Sequence, residues 1–149
     1  MSTTYFYILI ALLAGAMMPT QAATNNRMAA FVDSPVLAAF VSFVVGTLAL
    51  FVFVLLSGVP LVSLGGVKDA PAIAWIGGIL GAFFVAASVT LVPKLGVAMT
   101  FSILIAGQMI VTLVIDHFGL LGVPIRALSL TRLGGILLIA TGVVLIRKF

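Results

Sequence analysis

The chain of 149 residues contains no cysteine, no glutamate and a single histidine, His117. Disulfides, thiolate metal sites and cysteine nucleophiles are therefore excluded. One histidine and three carboxylates give no ligand cluster for zinc, so we expect neither a metal nor another cofactor. Charged residues make up 7% of the chain, against roughly a quarter of an ordinary soluble domain. A water-soluble globule is excluded.

The few charges also exclude other functions. Seven Lys and Arg residues against three Asp give a net charge of +4, but these residues are isolated and form no basic stripe, so nucleic-acid binding has no support. The sequence has no G-x-S-x-G, Walker or H-E-x-x-H motif and no paired carboxylates within an apolar run. We therefore do not expect an enzyme.

Apolar residues make up 64% of the chain and occur in runs of helical length. In lipid every backbone amide must be bonded internally, which only helices and closed barrels achieve. We predict an all-α integral membrane bundle, in contact with membrane lipid, formed by a single polytopic domain over residues 1–149. Its five spans of about 20 residues each are expected at about 5–31 with a kink at Pro19, 35–57, 71–91, 95–115 and 131–147.

The first span has a second interpretation, a cleaved signal peptide. The opening Met-Ser-Thr-Thr lacks the basic residues that precede a signal peptide's apolar region, which weakens that interpretation. The start of the second span is better marked. Asp33 and Ser34 are candidate caps, and Pro35 falls in the first turn, where its missing N–H costs nothing.

The positive charges are almost evenly divided between the two membrane faces. Five spans place Lys68, Arg126 and Arg132 on one side, and the other side carries the four remaining basic residues. The Lys/Arg bias that normally fixes orientation is nearly absent. This favours insertion both ways and an antiparallel homodimer of ten helices, which would reproduce the inverted repeats of transporters. Alternatively, the small bias or a partner subunit fixes one orientation.

Polar residues inside the spans suggest a binding site. Met17, Gln21 and Asn25 are four residues apart, so they share one helix face if the helix continues past Pro19. Gln108 lies near mid-span, with Thr112 one turn later. These side chains either line a polar cavity, with Met17 and Phe101 as apolar walls, or hold helices together by hydrogen bonds.

The fourth span ends at Asp116 and His117. Acid and histidine groups act as proton relays in transporters, which makes this pair a candidate for coupling. The alternative is an interfacial ion pair with Arg126 and Arg132, which share its side of the membrane. Arg132 also has two interpretations, an attractor for an anionic substrate or an arginine reaching the interface.

Small residues recur at close-packing spacing. Gly135 and Gly142 are seven residues apart on one face of the fifth span, which suits contact with a partner helix. Such patterns are common in multi-span proteins, so alone they indicate packing rather than function.

Several short motifs are spread along the chain. They are Pro19-x-Gln21-x-x-x-Asn25, Ser34-Pro35, Ser42-Phe43-x-x-Gly46, Gly77-Gly78-x-x-Gly81, Pro93-x-x-Gly96, Gly107-Gln108 and Asp116-His117-Phe118-Gly119. Together they resemble a known group, the YdcZ-type five-helix branch of the drug/metabolite transporter superfamily. The resemblance covers essentially the whole chain and keeps the order of the motifs. The part from Pro93 to Gly142 is also similar to the last two helices of the small multidrug resistance proteins.

The resemblance implies a bacterial inner-membrane secondary transporter of a small organic metabolite or drug-like solute, working by alternating access as a ten-helix dimer. In the small multidrug resistance proteins the seven-spaced glycine pair belongs to the dimer-forming helix. Those proteins also carry a glutamate in their first helix. Here the corresponding stretch is Gly15, Ala16 and Met17. No residue of this stretch therefore corresponds to the glutamate used for proton-coupled cation export. A non-transporting subunit of a larger membrane complex is the alternative function.

Overall fold

The computed structural model describes residues 3–148 as helices and their connections, without a strand in that part of the chain. All five long helices are long and apolar enough to cross a membrane. The predicted all-α membrane bundle of five helices is confirmed, whereas the ten-helix dimer stays a prediction. The helices are α1 (Thr3–Val32), α2 (Pro35–Leu56), α3 (Ala72–Leu95), α4 (Val97–Phe118) and α5 (Leu130–Lys148).

The turn from α1 to α2 is very short and is set by local chemistry. Asp33 adopts a positive φ of 50°, which reverses the chain. Ser34 is extended and its Oγ accepts a hydrogen bond from the Leu37 N–H at 3.2 Å. Because this bond and Pro35 satisfy the first turn, α2 begins immediately after α1 ends.

Pro19 and Pro93 both lie inside helices. Helix α1 is continuous through Pro19, although the ring removes the hydrogen bond to the Gly15 carbonyl. Helix α3 continues through Pro93 to Leu95, beyond the span end expected at residue 91. Membrane helices tolerate such prolines because neighbouring groups satisfy the freed carbonyls. Helix α3 ends at Leu95, and Gly96, with a φ of 79°, separates it from α4.

The chain's contacts fall into two compact units, one ending at Pro93 and the other beginning at Lys94. In the first unit α1 packs against α2, and α2 and α3 share a small core of alanine and valine. The core consists of Ala38, Ala39, Val85 and Val89, with Ala29, Val32, Phe84 and Ala86 packed against it. A 3₁₀ helix at Leu61–Asp69 joins α2 to α3.

In the second unit α4 packs against α5. Gly119 ends α4 in the left-handed conformation, and a short 3₁₀ helix, Leu120–Gly122, follows. Helix α5 has no buried residue among its described positions. Its apolar surface is therefore available to lipid or to another protein surface.

Candidate functional site

A groove of about 300 Å³ lies between α1 and α2 in the first unit. Ala22 of α1 and Ala38 of α2 are both buried, and their small side chains allow the two packed helices to approach closely. Four side chains of α1 and four of α2 line the groove. They are Gln21, Thr24, Asn25, Met28, Ala38, Val41, Ser42 and Val45.

Asn25 is the most unusual of these residues. Its side chain is only 7% exposed, and its Nδ2 has no hydrogen-bond partner. Buried amide groups in folded proteins are nearly always bonded, because an unpaired one costs about 1–3 kcal/mol. The groove is therefore lined by a residue whose amide donor is shielded from bulk water and unpaired within the protein.

Gln21 and Thr24 extend this polar lining by one turn of α1. The Thr24 Oγ1 donates to the Gln21 main-chain carbonyl at 2.9 Å, so the hydroxyl hydrogen is used within the helix and the oxygen lone pairs remain. The Gln21 side chain is exposed. The groove thus offers an amide donor, a second amide and a hydroxyl acceptor along one helix face.

The sequence pattern identified part of this groove. Gln21 and Asn25 line it together, since α1 is continuous past Pro19, but Met17 is 67% exposed and is not among the lining residues. Thr24 and Ser42 were not expected there. The signal for Thr24 is its position next to Asn25 on the same turn, and that for Ser42 is a polar residue in an otherwise apolar span.

The remaining predicted binding residues lie on α4 in the second unit. Phe101 is buried, as is its neighbour Thr100, whose Oγ1 has no hydrogen-bond partner. Gln108 is exposed on α4. Thr112 lines a second pocket, described next.

This second pocket, of about 250 Å³, lies between α4 and α5. It brings together four residues that the sequence singled out for different reasons, namely Thr112, Asp116, Arg132 and Gly135. The other lining residues are Met109, Leu113, Ile136 and Ile139. Apart from Thr112 and the ion pair of Asp116 and Arg132, the lining is apolar.

The ion pair joins the end of α4 to the start of α5. Arg132 Nη1 lies 3.3 Å from Asp116 Oδ2 and also donates to the Arg126 main-chain carbonyl at 3.2 Å. The Arg126 N–H in turn donates to the Asp116 carbonyl at 2.8 Å. Arg132 thus neutralises the Asp116 carboxylate, and Arg126 contributes through its main chain.

His117 faces the connection between α4 and α5. Its Nδ1 accepts a hydrogen bond from the Leu128 N–H at 3.3 Å, and its ring packs edge-on against Phe118, with 4.8 Å between ring centroids. The imidazole is therefore engaged in holding the loop. Within residues 3–148, no three His, Cys, Asp or Glu side chains form a metal-binding group.

The two glycines of the seven-spaced pair on α5 differ in their surroundings, because Gly142 does not line the second pocket. Gly135 lines the second pocket beside α4. A Cβ atom added at Gly135 or at Gly142 would meet no atom within 4 Å, so both positions leave room for a neighbouring helix. Their assignment to a dimer interface stays a prediction.

Comparison with known proteins identifies the family. A family model described as "Putative inner membrane exporter, YdcZ" matches residues 6–145, nearly the whole chain. The chain belongs to the YdcZ family. This confirms the resemblance seen in the sequence motifs, and with the five apolar helices it identifies this YdcZ-family protein as a multi-pass bacterial inner-membrane protein.

One relative of known name was found. A segment of 64 residues is 45% identical to "Inner membrane protein YdcZ" of Escherichia coli (strain K12), and it covers 43% of this chain and 43% of that protein. The chain thus spans less than half of that relative's length in this alignment. No solved structure matches the chain.

Proposed function

We propose that the protein is a secondary transporter that exports a small organic solute across the inner membrane by alternating access. The family description, which names export, supports this function. The groove between α1 and α2 supplies the contact surface for the solute. Its volume is at the lower end of the range for small-molecule sites, and its lining combines four polar with four apolar side chains.

The unpaired Asn25 amide is the observation that carries this proposal. A residue that only holds helices together would have its donor bonded within the protein. An amide that is buried and unbonded destabilises the empty protein, and such groups persist where a ligand uses them. The expected roles of Met17, Phe101, Gln108 and Thr112 in solute binding remain predictions.

The transporter is proposed to work as an antiparallel homodimer. The near-equal distribution of Lys and Arg between the two membrane faces supports insertion in both orientations. Two oppositely oriented copies would give the inverted symmetry on which alternating access is built. The α5 surface with Gly135 and Gly142 is the proposed contact between copies.

Export is tested in cells by comparing wild type, Gln21→Leu and a matched control, Asn26→Leu. Asn26 also carries an amide on α1 but does not line the groove. The intracellular and external solutes of each strain are compared with those of cells carrying an empty vector, at equal membrane levels of the variants.

We expect at least one solute to accumulate outside wild-type cells. Its export should fall about tenfold in Gln21→Leu, because the substitution removes one hydrogen-bonded contact with the solute. Asn26→Leu should export it as wild type does. No solute difference between wild type and vector would contradict the transporter. A protein that purifies only with a partner would then favour the non-transporting subunit.

A further inference from the structure

We infer that the α1–α2 groove takes an uncharged molecule that presents a hydrogen-bond acceptor, such as a carboxamide oxygen, to the Nδ2 of Asn25. This inference rests on the proposed function and narrows it to one class of solute. The three observations behind it are the charge of the groove lining, the hydrogen-bonding state of its polar groups and its apolar walls.

None of the eight side chains that line the groove is ionisable. Arg27 is the nearest charge along α1, but it lies two residues after Asn25, about 200° around the helix, and is exposed. A charged solute in a groove between two apolar helices needs an opposite charge or a coordinating shell. Because the lining provides neither, a neutral solute is favoured over a cation or an anion.

The polar groups define what the solute must offer. Asn25 Nδ2 is a buried donor without an acceptor, so the solute must bring an acceptor atom. The Thr24 hydroxyl already donates to the Gln21 carbonyl, so its oxygen accepts from a solute N–H or O–H. A carboxamide satisfies both groups, because it carries an acceptor oxygen beside an N–H donor.

The remaining walls fit an apolar body. Met28, Val41 and Val45 line the groove beside the amides. A volume of about 300 Å³ accommodates a compact molecule rather than a large drug. The complete solute is therefore a small, neutral molecule with a polar amide-like end and an apolar end.

Three probes of nearly equal shape separate charge from size. Benzamide is neutral, benzamidine is a cation and benzoate is an anion at neutral pH. Each is added at about 10 mM to the purified full-length protein, wild type, Asn25→Leu or the control Asn26→Leu, and the unfolding temperature is measured. A ligand with a millimolar dissociation constant raises that temperature by mass action at this concentration.

We expect benzamide to raise the unfolding temperature of wild type and of Asn26→Leu but not of Asn25→Leu, and the two charged probes to have no effect. Without any probe, Asn25→Leu is expected to unfold at or above the wild-type temperature, because the substitution removes an unbonded buried amide.

The inference is overturned if benzamide has no effect on wild type, if it stabilises Asn25→Leu equally, or if a charged probe stabilises wild type as well as benzamide does. If benzamidine stabilises wild type but not Asn25→Leu, the solute is not neutral and this inference is wrong. The proposal that the groove is the transport site would still stand. If Asn25→Leu instead unfolds at a lower temperature and loses self-association, a second copy of the chain occupies the groove.

Discussion

Arg132 holds the Asp116 carboxylate and the Arg126 carbonyl at once, at 3.3 and 3.2 Å from the same guanidinium nitrogen. The arginine thereby ties the end of α4, the connecting loop and the start of α5 together. The interaction is partly shielded, since the side chains of Arg132 and Asp116 are 32% and 27% exposed. This geometry favours the ion pair over the proton-coupling interpretation of Asp116.

A double-mutant cycle of Asp116→Asn and Arg132→Gln tests the ion pair. We expect a coupling energy of about 0.5–1 kcal/mol, the range for a partly exposed pair, which decreases as salt is added. Arg132→Gln should cost more than Asp116→Asn, since it also removes the bond to the Arg126 carbonyl. Thermal unfolding of the four proteins at low and high salt provides the measurement.

The same variants distinguish a structural role of Asp116 from a role in proton coupling. If Asp116 only pairs with Arg132, Asp116→Asn keeps the export of any solute that wild type exports, with a reduced unfolding temperature. Loss of export at an unchanged unfolding temperature would instead assign Asp116 to proton coupling.

His117 offers a direct spectroscopic test of the loop geometry. Because its Nδ1 accepts from the Leu128 N–H, the neutral ring must carry its proton on Nε2. The chain has one histidine, so the ¹⁵N spectrum of the imidazole contains a single pair of signals. At pH 8 we expect the Nε2–H tautomer in wild type and a mixture of tautomers once the protein is unfolded. A protonated Nδ1 in the folded protein is incompatible with the Leu128 contact.

The five helices were predictable because their cause is local and strong. An apolar run of about 20 residues has to span the bilayer as a helix, and Ser34 with Pro35 marks the beginning of α2 through a cap that involves only neighbouring residues. The continuation of α3 through Pro93 was not predictable in this way. A proline disfavours a helix locally, but the freed carbonyl can be satisfied by groups that the sequence does not place.

The groove was predictable only on one side. Helical spacing places Gln21 and Asn25 on one face of α1, but which helix covers that face depends on packing between distant segments. For this reason Ser42 of α2 was missed. Met17, predicted to share this face of α1, is 67% exposed and does not line the groove, and its role in binding stays a prediction. Likewise, the predicted topology placed Arg126 and Arg132 on the same side of the membrane as Asp116 without showing that Arg126 acts through its main chain.

Gly119 is required at the end of α4 for two reasons. Its φ of 60° is left-handed, and a Cβ there would lie 2.6 Å from Ile125 Cγ1. We expect Gly119→Ala to destabilise the second unit by about 2–4 kcal/mol, the left-handed penalty of about 1–2 kcal/mol plus the clash. Unfolding by denaturant measures the change in stability, and hydrogen exchange of the loop amides shows whether it is located in this loop.

Gly122→Ala is the matched control for Gly119→Ala. Gly122 also has a positive φ, of 81°, but an added Cβ meets nothing within 4 Å. It should therefore show the backbone penalty alone, about 1–2 kcal/mol. Ile125→Ala introduced together with Gly119→Ala should recover part of the difference. Equal effects of the two glycine substitutions would show that Ile125 yields without cost.

Insertion in both orientations is tested with a single cysteine in the exposed connection between α2 and α3. The natural chain has no cysteine, so Ser63→Cys reports one position. We expect an impermeant thiol reagent to label it from both sides of sealed inner-membrane vesicles, because Lys and Arg are divided three against four between the faces. Adding Val62→Lys and Leu64→Lys to the same connection shifts the balance to five against four. That variant should place the connection in the cytoplasm, and labelling from the outer face should fall severalfold. Labelling of the original Ser63→Cys protein from one side only would rule out the antiparallel homodimer, since every copy would then point the same way.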